Sequence, residues 1–218
     1  MPASTAITRR LTALTRARRN NNKNTTKKKA TTPFGIAEEK AVKAIQKHGM
    51  NINGIERNRQ IDDAYLLLGK ARYYSQRFIP AIEAFNYVIA SYPNANLIAE
   101  TKIWRAKTNV RLDNEDTAIE SMRLLLVIKD TLEADLPNKI KELAHTTMAM
   151  AYVKSDSFQK VKKHLHLATR TKENKEQAAR NLFILGQMYA QENKKDSASL
   201  VFQKLFIEKT IINLNSIY

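Results

Sequence analysis

The chain has 218 residues, of which 43% are hydrophobic, and its 37 Lys and Arg against 21 Asp and Glu give a formal net charge of +16. This length can bury a core, and the lack of Cys excludes a disulfide framework, a thiolate metal site, a cysteine nucleophile and a lipid-bearing Cys. No run of 18 apolar residues occurs, so no transmembrane segment is predicted. Few Gly and Pro, with long runs of Ala, Leu, Lys, Glu and Gln, predict an all-α protein.

Residues 1–33 form a basic segment with nine Lys and Arg and no acid. Its few large apolar side chains cannot offset the entropy cost of ordering, so we predict a disordered tail. The composition also fits a nucleic-acid-binding tail or an organelle transit peptide, and it lacks the apolar stretch of a secretory signal. The rest of the chain is only mildly basic, so nucleic acid is not the expected partner of the folded part.

From residue 34 onward the pattern is helical. Residues 37–50 form a helix with Ala41 on its apolar face, and we interpret it as the second half of a repeat. The next segment, about 62–95, has the spacing of a tetratricopeptide repeat (TPR), carried by Gly69, Ala81, Phe85 and Pro93. Gly69 and Ala81 are small because two helices cross closely there, and Phe85 fills the adjacent space.

The same spacing returns at about 99–132, 142–175 and 179–208. With 62–95 counted as the first of four repeats, Met122 replaces the aromatic residue in the second, and Val161 replaces the crossing Ala in the third. The spacing exceeds the ideal period of about 34, so turns near 51–60 and 130–138 must hold the extra residues. Residues 34–218 are therefore predicted to form a TPR array, a right-handed superhelix of stacked helix-turn-helix pairs. The predicted repeat-packing residues are Gly69, Ala81, Phe85, Pro93, Ala106, Ala118, Ala149, Gly186, Ala198 and Phe202.

Both ends of this array are unfinished. A terminal repeat needs a polar outer face, yet the array starts with half a repeat and ends with Ile211, Ile212, Leu214 and Ile217. This pattern predicts a fragment of a longer repeat protein.

Stacked repeats of this type bind partners along a concave side lined by the first helix of each pair. Four of the seven outward positions on those helices are basic, which predicts a mildly positive groove for an acidic or C-terminal peptide. The alternative is that these are ordinary solvated charges. The seven positions are Lys70, Tyr74, Lys107, Arg111, Lys154, Gln187 and Gln191.

No pattern points to catalysis, a metal or a cofactor, and no small-molecule substrate is expected. His164 and His166 are two residues apart on a helix and do not share a face, while His48 and His145 are isolated. Acid pairs such as Asp62 and Asp63 lie at helix starts, where the helix dipole explains them. No phosphate loop, nucleophile elbow or zinc spacing occurs. The sequence predicts a non-enzymatic binding protein.

Four segments carry a resemblance to a known group. They are EEKAVKAIQKHGMNING (38–54), QIDDAYLLLGKARYYSQRFIPAIEAFNYVIASYP (60–93), and residues 103–126 and 182–202. Across about 37–208 the chain resembles the SprE/PorW-type TPR lipoproteins of gliding motility and type IX secretion. The resemblance implies a protein tethered by lipid to the periplasmic face of the outer membrane, where it binds other secretion and motility components. Members are much longer and begin with an export signal and a lipid-bearing Cys, so the resemblance also implies a fragment. The alternatives are a generic TPR adaptor, or nucleic-acid association through the basic tail.

Overall fold

The computed structural model describes residues 32–53, 55–56, 58, 60–130, 136–170 and 173–215. Within these ranges the chain is all-α apart from one short β-hairpin, which confirms the predicted class. The predicted tail falls outside the described residues except at its last two positions. The elements, in order, are α1 (Pro33–His48), β1 (Asn51–Ile52), β2 (Ile55–Glu56), α2 (Ile61–Tyr74), α3 (Phe78–Ser91), α4 (Ile98–Arg111), α5 (Glu115–Asp130), α6 (Asn138–Lys154), α7 (Phe158–Ala168), α8 (Lys175–Gln191) and α9 (Lys195–Asn215).

Helix α1 begins four residues before the predicted half repeat. The Thr32 hydroxyl accepts a hydrogen bond from the Gly35 amide at 3.0 Å, and Pro33 occupies the first turn, where its missing N–H is not needed. The sequence analysis assigned the segment after α1 to a turn. The structure places there an antiparallel hairpin of two residues per strand, with Ile52 opposite Ile55.

Four helix pairs, α2–α3, α4–α5, α6–α7 and α8–α9, turn in the same way. Between the helices of each pair one non-glycine residue adopts a left-handed φ of 51–59°. The next amide donates to the carbonyl five residues back, at 2.8–3.0 Å, which is the Schellman arrangement that closes a helix C-terminus. The turns recur at intervals of 37, 43 and 37 residues, which match the intervals between Ala81, Ala118, Val161 and Ala198. The left-handed residues are Gln76, Asp113, Asp156 and Asn193.

The chain divides into two compact units, Met1–Ala84 and Phe85–Tyr218. In the first unit α1 packs on α2. Its apolar cluster contains Ala41, Leu68 and Ala84. Glu38, 4% exposed, lies beside this cluster and accepts hydrogen bonds from Arg72 (3.3 Å) and Arg77 (2.7 and 3.0 Å). A buried carboxylate needs such partners because burial removes its water.

The second unit has a continuous apolar core that runs along its helices. Helix α6 packs on α4, α5 and α7, and α8 packs on α7 and α9. The largest fully buried apolar side chains of this core are Ile103, Met122, Val161 and Leu185. Each helix thus buries one face against the next element in the chain, as in repeat proteins whose units contact only their neighbours.

A polar connection joins α6 to the start of α8. The Glu142 carboxylate, 3% exposed, accepts the backbone N–H of Glu173 at 2.8 Å and of Asn174 at 3.1 Å. One turn further along α6, the Thr146 hydroxyl accepts from the Asn181 side-chain amide at 2.9 Å. Amides near a helix N-terminus lack partners within the helix, so Glu142 satisfies donors that α8 cannot satisfy itself.

Among the described helices, none is both long and apolar enough to cross a bilayer.

Candidate functional site

Two predicted groove residues, Lys70 and Tyr74, lie on α2 in the first unit. Lys70 is half-buried, whereas Tyr74 is 51% exposed. The Tyr74 ring stacks on Phe34, with 5.0 Å between centroids, and meets the edge of Tyr73. An exposed aromatic surface such as this one supplies a large contact area at low entropy cost.

The other five predicted groove residues lie in the second unit, and they differ in exposure. Lys107 is only 9% exposed, and its ammonium lies 4.6 Å from the Trp104 ring centroid. This differs from the predicted outward position because α4 packs on both α5 and α6 and leaves little free surface. Lys154 is exposed and forms an ion pair with Asp113. Arg111, Gln187 and Gln191 are exposed.

The repeat-packing residues lie mostly inside the two units. Gly186 packs so closely that an added Cβ would lie 2.6 Å from Phe202 Cε1. Phe202 is partly exposed, and Pro93 is exposed in the turn after α3. The fully or almost fully buried members are Gly69, Ala81, Phe85, Ala106, Ala118, Ala149, Gly186 and Ala198.

A pair of histidines joins α6 to α7, which the sequence analysis did not predict. Nδ1 of His145 lies 3.1 Å from Nδ1 of His164, and Tyr152 stacks on the His164 ring at 5.4 Å. One imidazole donates to the other, and which one donates depends on the tautomers. The positions flank Ala149 and Val161, where the helices cross, and this is the signal that could have paired them.

Burial sets the protonation of this pair. Burial, then the charges of His145 and Lys163, lower the pKa of His164 to about 4. Burial and Lys163 also lower the pKa of His145 below 6.5. Because the folded pKa lies below the unfolded value of 6.5, the neutral imidazole contributes its full stability above pH 6.5. That contribution declines as the pH falls from 6.5 toward 4.

His166 points to a different set of partners from its near neighbour His164. Its Nε2 lies 2.8 Å from the Tyr189 hydroxyl on α8. Beside it Lys162, 6% exposed, forms an ion pair with Glu192 and places its ammonium 5.6 Å from the Tyr189 ring. Burial, and then Lys204 and Lys162, lower the pKa of His166.

The remaining ionisable groups do not converge on a reaction centre. In the described part of the chain, no three His, Asp or Glu side chains are placed to hold a metal ion. Asp62 and Asp63 lie in the first turn of α2, and Glu115 and Asp116 in that of α5, where acids interact favourably with the helix dipole.

Together, the stacked helix pairs and their repeated turns define a TPR-like helical repeat fold. A crystal structure of MamA, a TPR-like protein, matches 88% of this chain and 96% of its own with a TM-score of 0.55. The sequence identity is 16%, so the likeness shows the fold alone. No protein-family model and no curated protein matches the chain.

Proposed function

We propose that this protein is a non-enzymatic scaffold for protein–protein interaction. The observation that carries the proposal is the fold: helix pairs stacked as in TPR-like proteins present extended surfaces that bind other proteins. Exposed side chains on the first helix of each pair supply the contacts with the partner. In the second unit Arg111, Gln187 and Gln191 are exposed and suit a polar peptide. In the first unit the exposed Tyr74 suits an apolar or aromatic anchor.

The expected peptide is acidic or carries a C-terminal carboxylate. Arg111 and Lys154 supply positive charge on α4 and α6, although Lys154 already shares its charge with Asp113. Lys107 contributes less than the sequence predicts because its ammonium lies against Trp104. In the second unit the proposed contact surface is therefore weighted toward Arg111 and the two glutamines.

A finer proposal concerns the biological setting. Residues 38–54 and 60–93 resemble SprE/PorW-type proteins, which supports a role among the components of type IX secretion and gliding motility. The same resemblance supports a location at the periplasmic face of the outer membrane. A generic TPR adaptor with another partner is the alternative.

Site-specific photo-crosslinking of the full chain tests the scaffold function. A photoreactive amino acid at Gln187 should capture a partner, which should then bind the purified chain in vitro. The matched control is Leu124, which is 49% exposed on α5, the second helix of its pair. Capture of no protein at Gln187, or capture equal to that at Leu124, contradicts the proposed surface.

Deletion of the gene tests the setting separately. Reduced type IX secretion and gliding, restored by the full chain, supports the finer proposal. A captured partner with unchanged secretion and motility leaves the scaffold function intact and refutes the setting.

A further inference from the structure

Helix α7 carries positive charge, of which Lys162 is neutralised by Glu192. From Phe158 to Arg170 the sequence holds three Lys, one Arg and two His, and no acid. Val161, Lys162, Leu165 and Ala168 are buried, so the opposite side of the helix faces solvent. We name this exposed side the α7 basic face. It consists of Lys160, Lys163 and His166 together with Arg170, two residues beyond the end of the helix.

The acids that flank α7 in sequence are Asp156, in the turn before it, and Glu173, after it. Glu192 pairs with Lys162 and with Lys194. Glu173 accepts the Lys139 amide at 3.0 Å. Within the ranges that the structure describes, no carboxylate lies within ion-pair distance of Lys160 or Lys163. The Lys160 ammonium lies 5.1 Å from the Tyr152 ring centroid, and the Lys160 side chain stays exposed.

The neighbouring imidazoles respond to this local positive charge. After burial, Lys163 contributes to the lowered pKa of His145 and His164, and Lys204 of α9 and Lys162 contribute to that of His166. Lys204 is exposed and extends the positive region onto α9. An anion bound here would therefore meet cations from two helices.

We propose that the α7 basic face binds an acidic segment of a protein partner, and this inference rests on the scaffold function proposed above. Charge complementarity selects the occupant, since an acidic segment supplies the carboxylates that the face lacks. The 11 residues of α7 span about 16 Å, which is the length of about five residues of extended peptide.

The number of cations favours a protein over a nucleic acid. Lys160, Lys163, Arg170 and Lys204 offer four charges, whereas nucleic-acid-binding proteins often contact about 6–10 phosphates. Tyr189, the aromatic residue beside His166, is only partly exposed and its hydroxyl already meets that imidazole, so it does not offer a free stacking face for bases.

Fluorescence anisotropy with the full chain tests the inference. The probe is a labelled Glu- and Asp-rich peptide of about eight residues, long enough to span α7 with a margin at each end. Lys160→Glu/Lys163→Glu should weaken its binding at least about tenfold, and added salt should weaken wild-type binding. The matched control, Lys40→Glu/Lys47→Glu, makes the same charge change at exposed positions of α1 and should retain most of the affinity. Circular dichroism melts verify that both variants are folded.

A second readout locates the bound peptide. Carboxylates on the α7 basic face should raise the pKa of His166, which is measured from its imidazole C–H signals by NMR. An equal loss of affinity in both double variants, or no change in the His166 pKa, overturns the inference. Tighter binding of a single-stranded DNA of equal charge through the same lysines overturns the choice of a protein partner.

The two proposals can fail separately. If the partner captured at Gln187 binds Lys160→Glu/Lys163→Glu as tightly as wild type, the scaffold function stands and the α7 basic face is refuted. If the acidic peptide binds α7 but no protein is captured, the inference about α7 stands as an anion site and the scaffold function fails.

Discussion

Replacing Glu142 with Gln should weaken the hydrogen-bonded connection between α6 and the start of α8. The Glu142 carboxylate is 3% exposed and accepts two backbone amides, from Glu173 and Asn174. A Gln side chain keeps one acceptor oxygen and presents an NH₂ group to the other amide. The variant thus loses one charge-assisted hydrogen bond and leaves buried donors unsatisfied, which costs about 2–4 kcal/mol.

Urea unfolding followed by far-UV circular dichroism measures this cost. With a slope of about 2 kcal/mol/M, the midpoint should fall by about 1–2 M. Glu173→Gln is the matched control, because this exposed side chain accepts one amide, that of Lys139, and should cost less than about 1 kcal/mol. Hydrogen exchange in Glu142→Gln should accelerate first at the start of α8. A Glu142→Gln midpoint equal to that of wild type, or a larger loss in Glu173→Gln, refutes the reasoning.

Three further substitutions test the crossing, the histidine pair and the buried ion pair. Gly186→Ala places a Cβ 2.6 Å from Phe202 Cε1, and the destabilisation by overpacking should exceed the gain in helix propensity by about 0.5–2 kcal/mol. Thermal melts measure this loss, and a second change, Phe202→Leu, should restore stability. An unchanged Tm in the single variant contradicts the close crossing. Between pH 7 and pH 5 the free energy of unfolding of the wild type should fall by about 1 kcal/mol more than that of His164→Asn, after allowance for the partial exposure of the imidazole. Parallel pH profiles of the two proteins in urea unfolding contradict the lowered pKa of His164. Glu38→Gln should cost about 2 kcal/mol in urea unfolding because two arginines lose their carboxylate. The exposed Glu39→Gln should leave the urea midpoint almost unchanged, and equal losses count against the buried pair.

The helical class and the positions of close helix packing could be predicted from the sequence because both depend on local pattern. Small or apolar residues recur at intervals of 37, 43 and 37 in Ala81, Ala118, Val161 and Ala198, and all four are buried. A helix needs such residues wherever a neighbour approaches closely, whatever else surrounds it. The turn residues with left-handed φ were not predicted, since none of the four is Gly; three are Asn or Asp, the other residue types that tolerate this φ.

The polar contacts could not be predicted, because their partners are about one repeat apart in the chain. Glu38 and Arg72 are separated by 34 residues, and Lys162 and Glu192 by 30. Stacking brings such positions together, and opposite charges at that separation are a usable signal once the period is known.

The sequence by itself determined a helical, Cys-free repeat protein with a binding role as its expected function, because periodicity and composition act through each segment's own residues. Only the tertiary structure decided which cations remain available. The repeat pattern predicts that both Lys107 and Lys154 face outward, yet the first lies against Trp104 and the second pairs with Asp113. Lys160 and Lys163 keep their charge exposed because α7 buries its other side. Burial and charge pairing depend on neighbours that are distant in sequence, which is why no local pattern could assign them.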